Sequence, residues 1–236
     1  MNSDISDRIL SVNQQIDSAC AQAGRPRDSV QLLAVSKTRS ADEVRSAVNQ
    51  GLTHFGENYL QEALDKIEAL SDLALEWHFI GPIQSNKTRP IAEHFDWVHS
   101  VDRLKIGQRL SDQRPDGKPP LNICLQVNIS REESKSGCSP DEAPALARAL
   151  GELPGIRLRG LMAIPAATDD PDTQHRAFAD LRRLLDAIRV DLPELDTLSM
   201  GMSADLVPAI EEGATIVRVG TALFGPRAAK TEPKPE

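Results

Sequence analysis

Aromatic residues supply only 3% of this 236-residue chain, and no basic block offsets its net charge of −8. Both shortages argue against a nucleic-acid face, which needs cations and stacking rings. Cysteine is scarce as well. Cys20, Cys124 and Cys138 are odd in number and lack metal-type spacing, a usage that fits a reducing compartment. No apolar run reaches membrane-spanning length. The start, Met1-Asn2-Ser3-Asp4, has neither the basic region nor the apolar stretch of a signal peptide. A soluble, cytoplasmic protein with no nucleic-acid or membrane partner is expected, and its acidic, aromatic-poor surface suits a monomer. No G-x-G-x-x-G occurs and no proline- or glycine-rich linker divides the chain. One domain over residues 1–229 is expected, with 230–236 a polar, disordered tail.

What is present is a regular alternation. Ile5, Ile9, Val12, Ile16, Ala19 and Ala23 mark one face of an opening helix closed by Gly24 and Pro26. Leu32-Leu33-Ala34-Val35-Ser36-Lys37 then reads as a buried parallel strand. Ser40 and Glu43 form a capping-box pair at the start of the next helix. Further short strands are predicted at 54–58, 76–81, 96–100, 121–129, 158–164, 197–200 and 215–219, separated by helical segments. Pro90 is expected to split or kink the helix it interrupts. Eight strands alternating with helices in a chain of this length predict an α/β fold, a (β/α)8 TIM-type barrel with an extra N-terminal helix. An open doubly wound sheet is the alternative, and it would want fewer strands and a Gly-rich first turn.

A barrel places chemistry at the carboxyl ends of its strands. Alternation puts Lys37 on one face with Leu33 and Val35, where a lysine is costly unless paired or functional. The plain alternative is that the strand ends early and Lys37 is a solvated flank. A phosphate site is expected after strands seven and eight, at Ser199-Met200-Gly201-Met202-Ser203 and Gly220-Thr221. Alternatively, Ser203 only caps a helix and the glycines only turn the chain, although Pro208 suggests a helix start nearer Asp205. Arg218 shares a face with Ile216 and should enter the lumen, either for a salt bridge to a mouth carboxylate or for a ligand. A lysine opposite a phosphate site suggests Schiff-base chemistry. Two readings fit at this level: a class I aldolase, with Glu57 and His78 as available acid–base groups, or pyridoxal phosphate held on the lysine.

Several stretches together resemble one family: Ala34-Val35-Ser36-Lys37-Thr38, 55–62 (FGENYLQE), Trp77-His78-Phe79-Ile80-Gly81, Gln84-Ser85-Asn86-Lys87, Ser134-Lys135-Ser136-Gly137, Gly160-Leu161-Met162-Ala163-Ile164, 199–203 (SMGMS) and Arg218-Val219-Gly220-Thr221. In this order they are similar to the YggS/PROSC pyridoxal phosphate homeostasis proteins, from the first helix to about Arg227. The resemblance implies a barrel like the amino-terminal domain of alanine racemase (fold type III), with pyridoxal 5′-phosphate joined to Lys37 as a covalent aldimine. It further implies cofactor contacts from Asn58, Ser199, Gly201, Ser203, Gly220 and Thr221, with Arg218 facing the pyridine nitrogen. It assigns no catalytic residue and no metal ligand.

An arginine at that nitrogen donates a hydrogen bond and leaves the ring unprotonated, so the ring is a weak electron sink. Racemases of the related fold use a tyrosine base supplied through a second, all-β domain. The only tyrosine here is Tyr59, expected to pack or cap locally. A carrier or regulator of pyridoxal phosphate is therefore preferred to a low-activity amino-acid racemase. Apo forms of pyridoxal phosphate-dependent enzymes are its expected transient partners. Lys135, a mobile amine on the 130–139 loop, is either a plain solvated lysine, the preferred reading, or part of a loop that gates the mouth, or an amine that takes up the aldehyde. Lys87 carries the same ambiguity.

Overall fold

Short apolar strands cannot bury both faces alone, and amphipathic helices between them cover one face while the strands close on the other. The structure, a computed structural model, describes residues 4–132 and 135–226; the expected tail at 230–236 lies outside them. In order the elements are α1 (Ile5–Gln22), β1 (Gln31–Val35), α2 (Ala41–Val48), β2 (His54–Glu57), α3 (Leu60–Ala69), β3 (Glu76–Phe79), α4 (Thr88–His94), β4 (Trp97–Val101) and α5 (Leu104–Asp112). Then come β5 (Leu121–Gln126), α6 (Ala143–Gly151), β6 (Ile156–Met162), α7 (Pro171–Ile188), β7 (Thr197–Ser199), α8 (Leu206–Glu211), β8 (Ile216–Val219) and α9 (Thr221–Phe224). The strands pair in parallel in chain order, and β8 returns to β1 to close the barrel. Closure is what excludes the open sheet.

Strand alternation divides the core in two. Phe55, Phe79, Val98, Ile123, Leu161 and Val217 point outward into the main core beneath the helices. Leu33, Trp97, Cys124, Met162 and Ile216 fill the lumen. Arg218 and Ile216 share the inward face of β8 as alternation requires, with Val217 and Val219 outside. The Ser40–Glu43 capping box is formed in full.

Two expectations are corrected, and a third, the helix start near Asp205, holds. β5 ends at Gln126 rather than Ile129, because Asn128 leaves the ladder and donates its side-chain amide to Glu132 O at 2.7 Å. Pro90 does not kink a helix. A 3-10 turn at Ser85–Lys87 precedes it, and α4 starts at Thr88, so the proline falls in the first turn, where no N–H is needed. Pro208 is accommodated in the same way. α8 begins at Leu206 after Asp205, while Ser203 stays exposed and caps nothing.

Candidate functional site

Ser36 extends β1 by one further bond, its N–H donating to Gly56 O at 3.0 Å. The chain then turns at Thr38, whose φ of 64° is a left-handed conformation that β-branched residues rarely adopt. Lys37 is therefore not the last residue of the strand. It lies two residues beyond β1, half-buried at the mouth. Such a turn persists only where neighbours hold it. Thr38 N–H donates to Glu62 Oε1 at 2.5 Å, and Arg39 N–H donates to Ser36 O at 3.0 Å.

Beneath the turn sits a clamp that sequence reading missed. Lys66 Nζ donates to Ser36 O (2.7 Å), Glu57 Oε1 (2.7 Å) and Glu62 Oε1 (2.6 Å). Ser36 Oγ donates to the same Glu57 oxygen at 2.6 Å. Both Lys66 and Glu57 are buried. Burial pushes the Glu57 carboxyl up, and the nearby ammonium opposes that rise. Glu57 thus supports the backbone from outside the barrel wall, beside Phe55.

Across the closure, Leu33 pairs with Arg218 and Ala34 with Val219. That register carries Gly220 and Thr221 up beside the end of β1, and with Lys37 they line a small hollow of about 30 Å³. A Cβ on Gly220 would lie 3.3 Å from Val35 O, so the two strands approach closely there.

Arg218 is 4% exposed. Its Nη1 donates to Ser199 Oγ at 2.7 Å and its Nη2 to Ala163 O at 2.9 Å. Desolvation lowers its pKa to about 10, against the pull of Asp205 and Cys124. Among the described residues no carboxylate forms an ion pair with it, so the salt-bridge alternative falls away. Ser199 Oγ also meets His99 Nδ1 at 2.7 Å, and His99 Nε2 meets His78 Nδ1 at 2.9 Å. Burial lowers the pKa of both imidazoles and keeps them neutral.

The expected site residues therefore form two layers. Ser199 and Arg218 lie in the lumen. Lys37, Gly201, Ser203, Gly220 and Thr221 are on the rim, with Ser203 and Thr221 exposed. Gly201 has φ 91°, its carbonyl accepts from Arg218 N–H at 2.9 Å, and an added Cβ would lie 2.5 Å from the Ala209 Cβ. Gly201→Ala should cost roughly 1–3 kcal/mol. For a chain of this length that is a fall in Tm of about 2–12 °C, read by thermal denaturation.

Asn58 follows β2, and its Oδ1 is buried without a hydrogen-bond partner among the described residues. Tyr59 neither packs nor caps as expected: it is 53% exposed and makes no side-chain cap. It lines a cleft of about 410 Å³ with Asn58 and Lys87. Lys135 is not a loose amine. Glu132 pairs with it at 2.8 Å, and it donates to Pro165 O at 2.8 Å. It borders a second cleft of about 240 Å³, shared with Ile164, Phe178 and Met202. The three cysteines are free and buried, and desolvation raises the Cys124 and Cys138 thiols to about 12. No helix among the described residues is long and apolar enough to cross a membrane.

Residues 12–228 match the family model described as alanine racemase, N-terminal domain. A pyridoxal phosphate homeostasis protein of Pseudomonas aeruginosa is 64% identical over 225 residues, covering 95% of this chain and 96% of that one. The solved structure of PipY from Synechococcus elongatus, with PLP bound, superposes with a TM-score of 0.82 at 38% identity, covering 94% of this chain and all of that one (100%). Alanine racemase from Corynebacterium glutamicum is similar in fold alone: TM-score 0.69 at 19% identity, covering 96% of this chain and 64% of the racemase.

Proposed function

The chain belongs to the alanine racemase N-terminal domain family, among its pyridoxal phosphate homeostasis proteins, and on that footing we propose that it carries pyridoxal phosphate covalently on Lys37 without robust catalysis. The residues at the mouth fit that cofactor. Asn58 offers a buried oxygen with no hydrogen-bond partner among the described residues, and Gly201 and Gly220 keep the rim backbone bare where an added Cβ would press on Ala209 or Val35. Bound there, the cofactor would supply an aldehyde for the Lys37 amine and a phosphate for the rim. Gly201, Ser203, Gly220 and Thr221 provide neutral donors for that phosphate. Asn58 orients the ring from the β2 side.

The observation that carries the reading is Arg218. A buried guanidinium without a carboxylate is costly unless a ligand completes it. Two of its five N–H donors are used on neutral acceptors, and others remain for a ring nitrogen. Even lowered to about 10, its pKa stays far above that of a pyridine, so the arginine keeps its proton and the ring nitrogen stays unprotonated. Carbanion chemistry is then weakly supported. Exposed Tyr59, the sole tyrosine, sits on the outer cleft rather than in the lumen layer with Arg218.

Arg218→Met keeps bulk and removes the charged hydrogen bonds. It should weaken pyridoxal phosphate binding about 10–100-fold in an absorbance titration; unchanged affinity would take Arg218 out of the site. Carrier and racemase are separated by α-hydrogen exchange of L-amino acids in deuterated water. Exchange by the loaded protein should stay near that of free pyridoxal phosphate. Robust exchange that disappears in Lys37→Ala would establish an enzyme.

A further inference from the structure

At the end of the barrel opposite the mouth, β2 and β3 begin with His54 and Glu76, which the register sets side by side. Alternation puts His78 on the same inward face as Glu76, one pleat further along. The three side chains converge. His54 Nδ1 lies 3.4 Å from His78 Nε2 and 3.4 Å from Glu76 Oε1, and His78 Nε2 lies 3.3 Å from the same oxygen. Two imidazoles and a carboxylate form a nearly equilateral triangle of donor atoms. It is the one such cluster of possible metal ligands among the described residues.

Charge-assisted hydrogen bonds to a carboxylate are shorter, near 2.7–2.9 Å. A tetrahedral zinc ion with bonds of about 2.0–2.1 Å instead sets its ligand atoms about 3.3–3.4 Å apart. All three edges meet that spacing at once. We propose that His54 Nδ1, His78 Nε2 and Glu76 Oε1 bind a single divalent transition ion of the zinc class at the amino-terminal rim of the barrel.

The surroundings fit a bound ion. His78 is held in place by His99, whose Nε2 meets its other ring nitrogen at 2.9 Å, and it stacks on Trp97 with ring planes 6° apart. Metal-bound histidines characteristically use their second nitrogen in this way. The ion leaves His78 its proton on Nδ1, donated to His99. His54 and Glu76 are half-buried, so water reaches the rim and supplies the fourth ligand. Two neutral imidazoles and one carboxylate leave a charge of +1, and Asp96, whose field reaches His78, offsets it. Glu76 and His78 are near neighbours on β3 but His54 comes from β2, so no local sequence spacing marks the full set.

The test is titration of the full chain with zinc alone, followed by calorimetry, and with cobalt, followed by its visible spectrum. The expected result is one saturating equivalent per chain, with the intense d–d bands of four-coordinate cobalt. Zinc at a hundredfold excess over its Kd should raise Tm by roughly 5–10 °C. His54→Ala and Glu76→Ala should each weaken binding at least about 100-fold. Both residues sit at the rim, and the metal-free melting temperatures of the variants check that they remain folded. No saturable binding to the wild type, or binding unchanged in both variants, would overturn the proposal and leave a carboxylate bridging two imidazoles.

Discussion

Lys37→Ala is expected to abolish covalent loading with pyridoxal phosphate: the visible band of the loaded protein disappears, and no adduct survives reduction with borohydride. The reason is positional. Lys37 stands at the mouth beside Gly220 and Thr221, and the other lysines are placed elsewhere. Lys66 is buried beneath the turn, with bonds to Ser36, Glu57 and Glu62. Lys135 is tied to Glu132 and to the backbone after β6. Lys87 is exposed on the far side of the Asn58 cleft. The fold should hardly notice the change, because Lys37 lies beyond β1 and is half-buried. A Tm within about 2 °C of the wild type is expected from a substitution worth at most about 0.5 kcal/mol. A visible band that persists in the variant would place the attachment on another amine.

Lys66→Met should be the most destabilising of the substitutions considered. It strands the Glu57 carboxylate, which is 0% exposed and whose Oε2 already has no hydrogen-bond partner among the described residues. Breaking a buried pair from one side costs about 3–5 kcal/mol, a fall in Tm of roughly 6–20 °C at neutral pH. The pH dependence has a definite sign. Burial raises the Glu57 carboxyl, and in the variant the ammonium that opposes the rise is gone. A folded-state pKa above the unfolded value means that the folded chain holds its proton longer. The stability linked to that proton is complete below the unfolded value and is lost as pH rises through the folded one. The deficit of Lys66→Met relative to wild type should therefore shrink from pH 7.5 towards pH 5. Glu57→Gln combined with Lys66→Met should recover part of it, since no buried charge is left. An unchanged melting temperature would mean that the pair contributes nothing to the turn that carries Lys37.

The framework was legible because its signals are local and periodic. Strand alternation sent Arg218 and Ile216 inward on β8, and the position of Pro208 pointed to a helix start near Asp205. Lys37 was singled out on a position that the structure shifts. Alternation placed it on the strand, whereas the left-handed turn at Thr38 lifts it to the rim. The supports were not legible because they depend on contacts between elements. On α3, Lys66 looks like any solvated helical lysine; only the packing of α3 against β2 brings it onto Glu57. Ser199 was grouped with the phosphate loop by sequence proximity, yet the barrel turns its hydroxyl into the lumen towards Arg218 and His99. Lys135 read as mobile because the backbone carbonyls that hold it lie about thirty residues away, after β6.

The attachment of pyridoxal phosphate to Lys37 is tested most directly by loading the purified full chain, reducing it with borohydride and mapping the labelled peptide by mass spectrometry. A single pyridoxyl group on Lys37 is the expected result. A label on Lys66, Lys87 or Lys135 with Lys37 unmodified, or a protein that takes up no label, would contradict it.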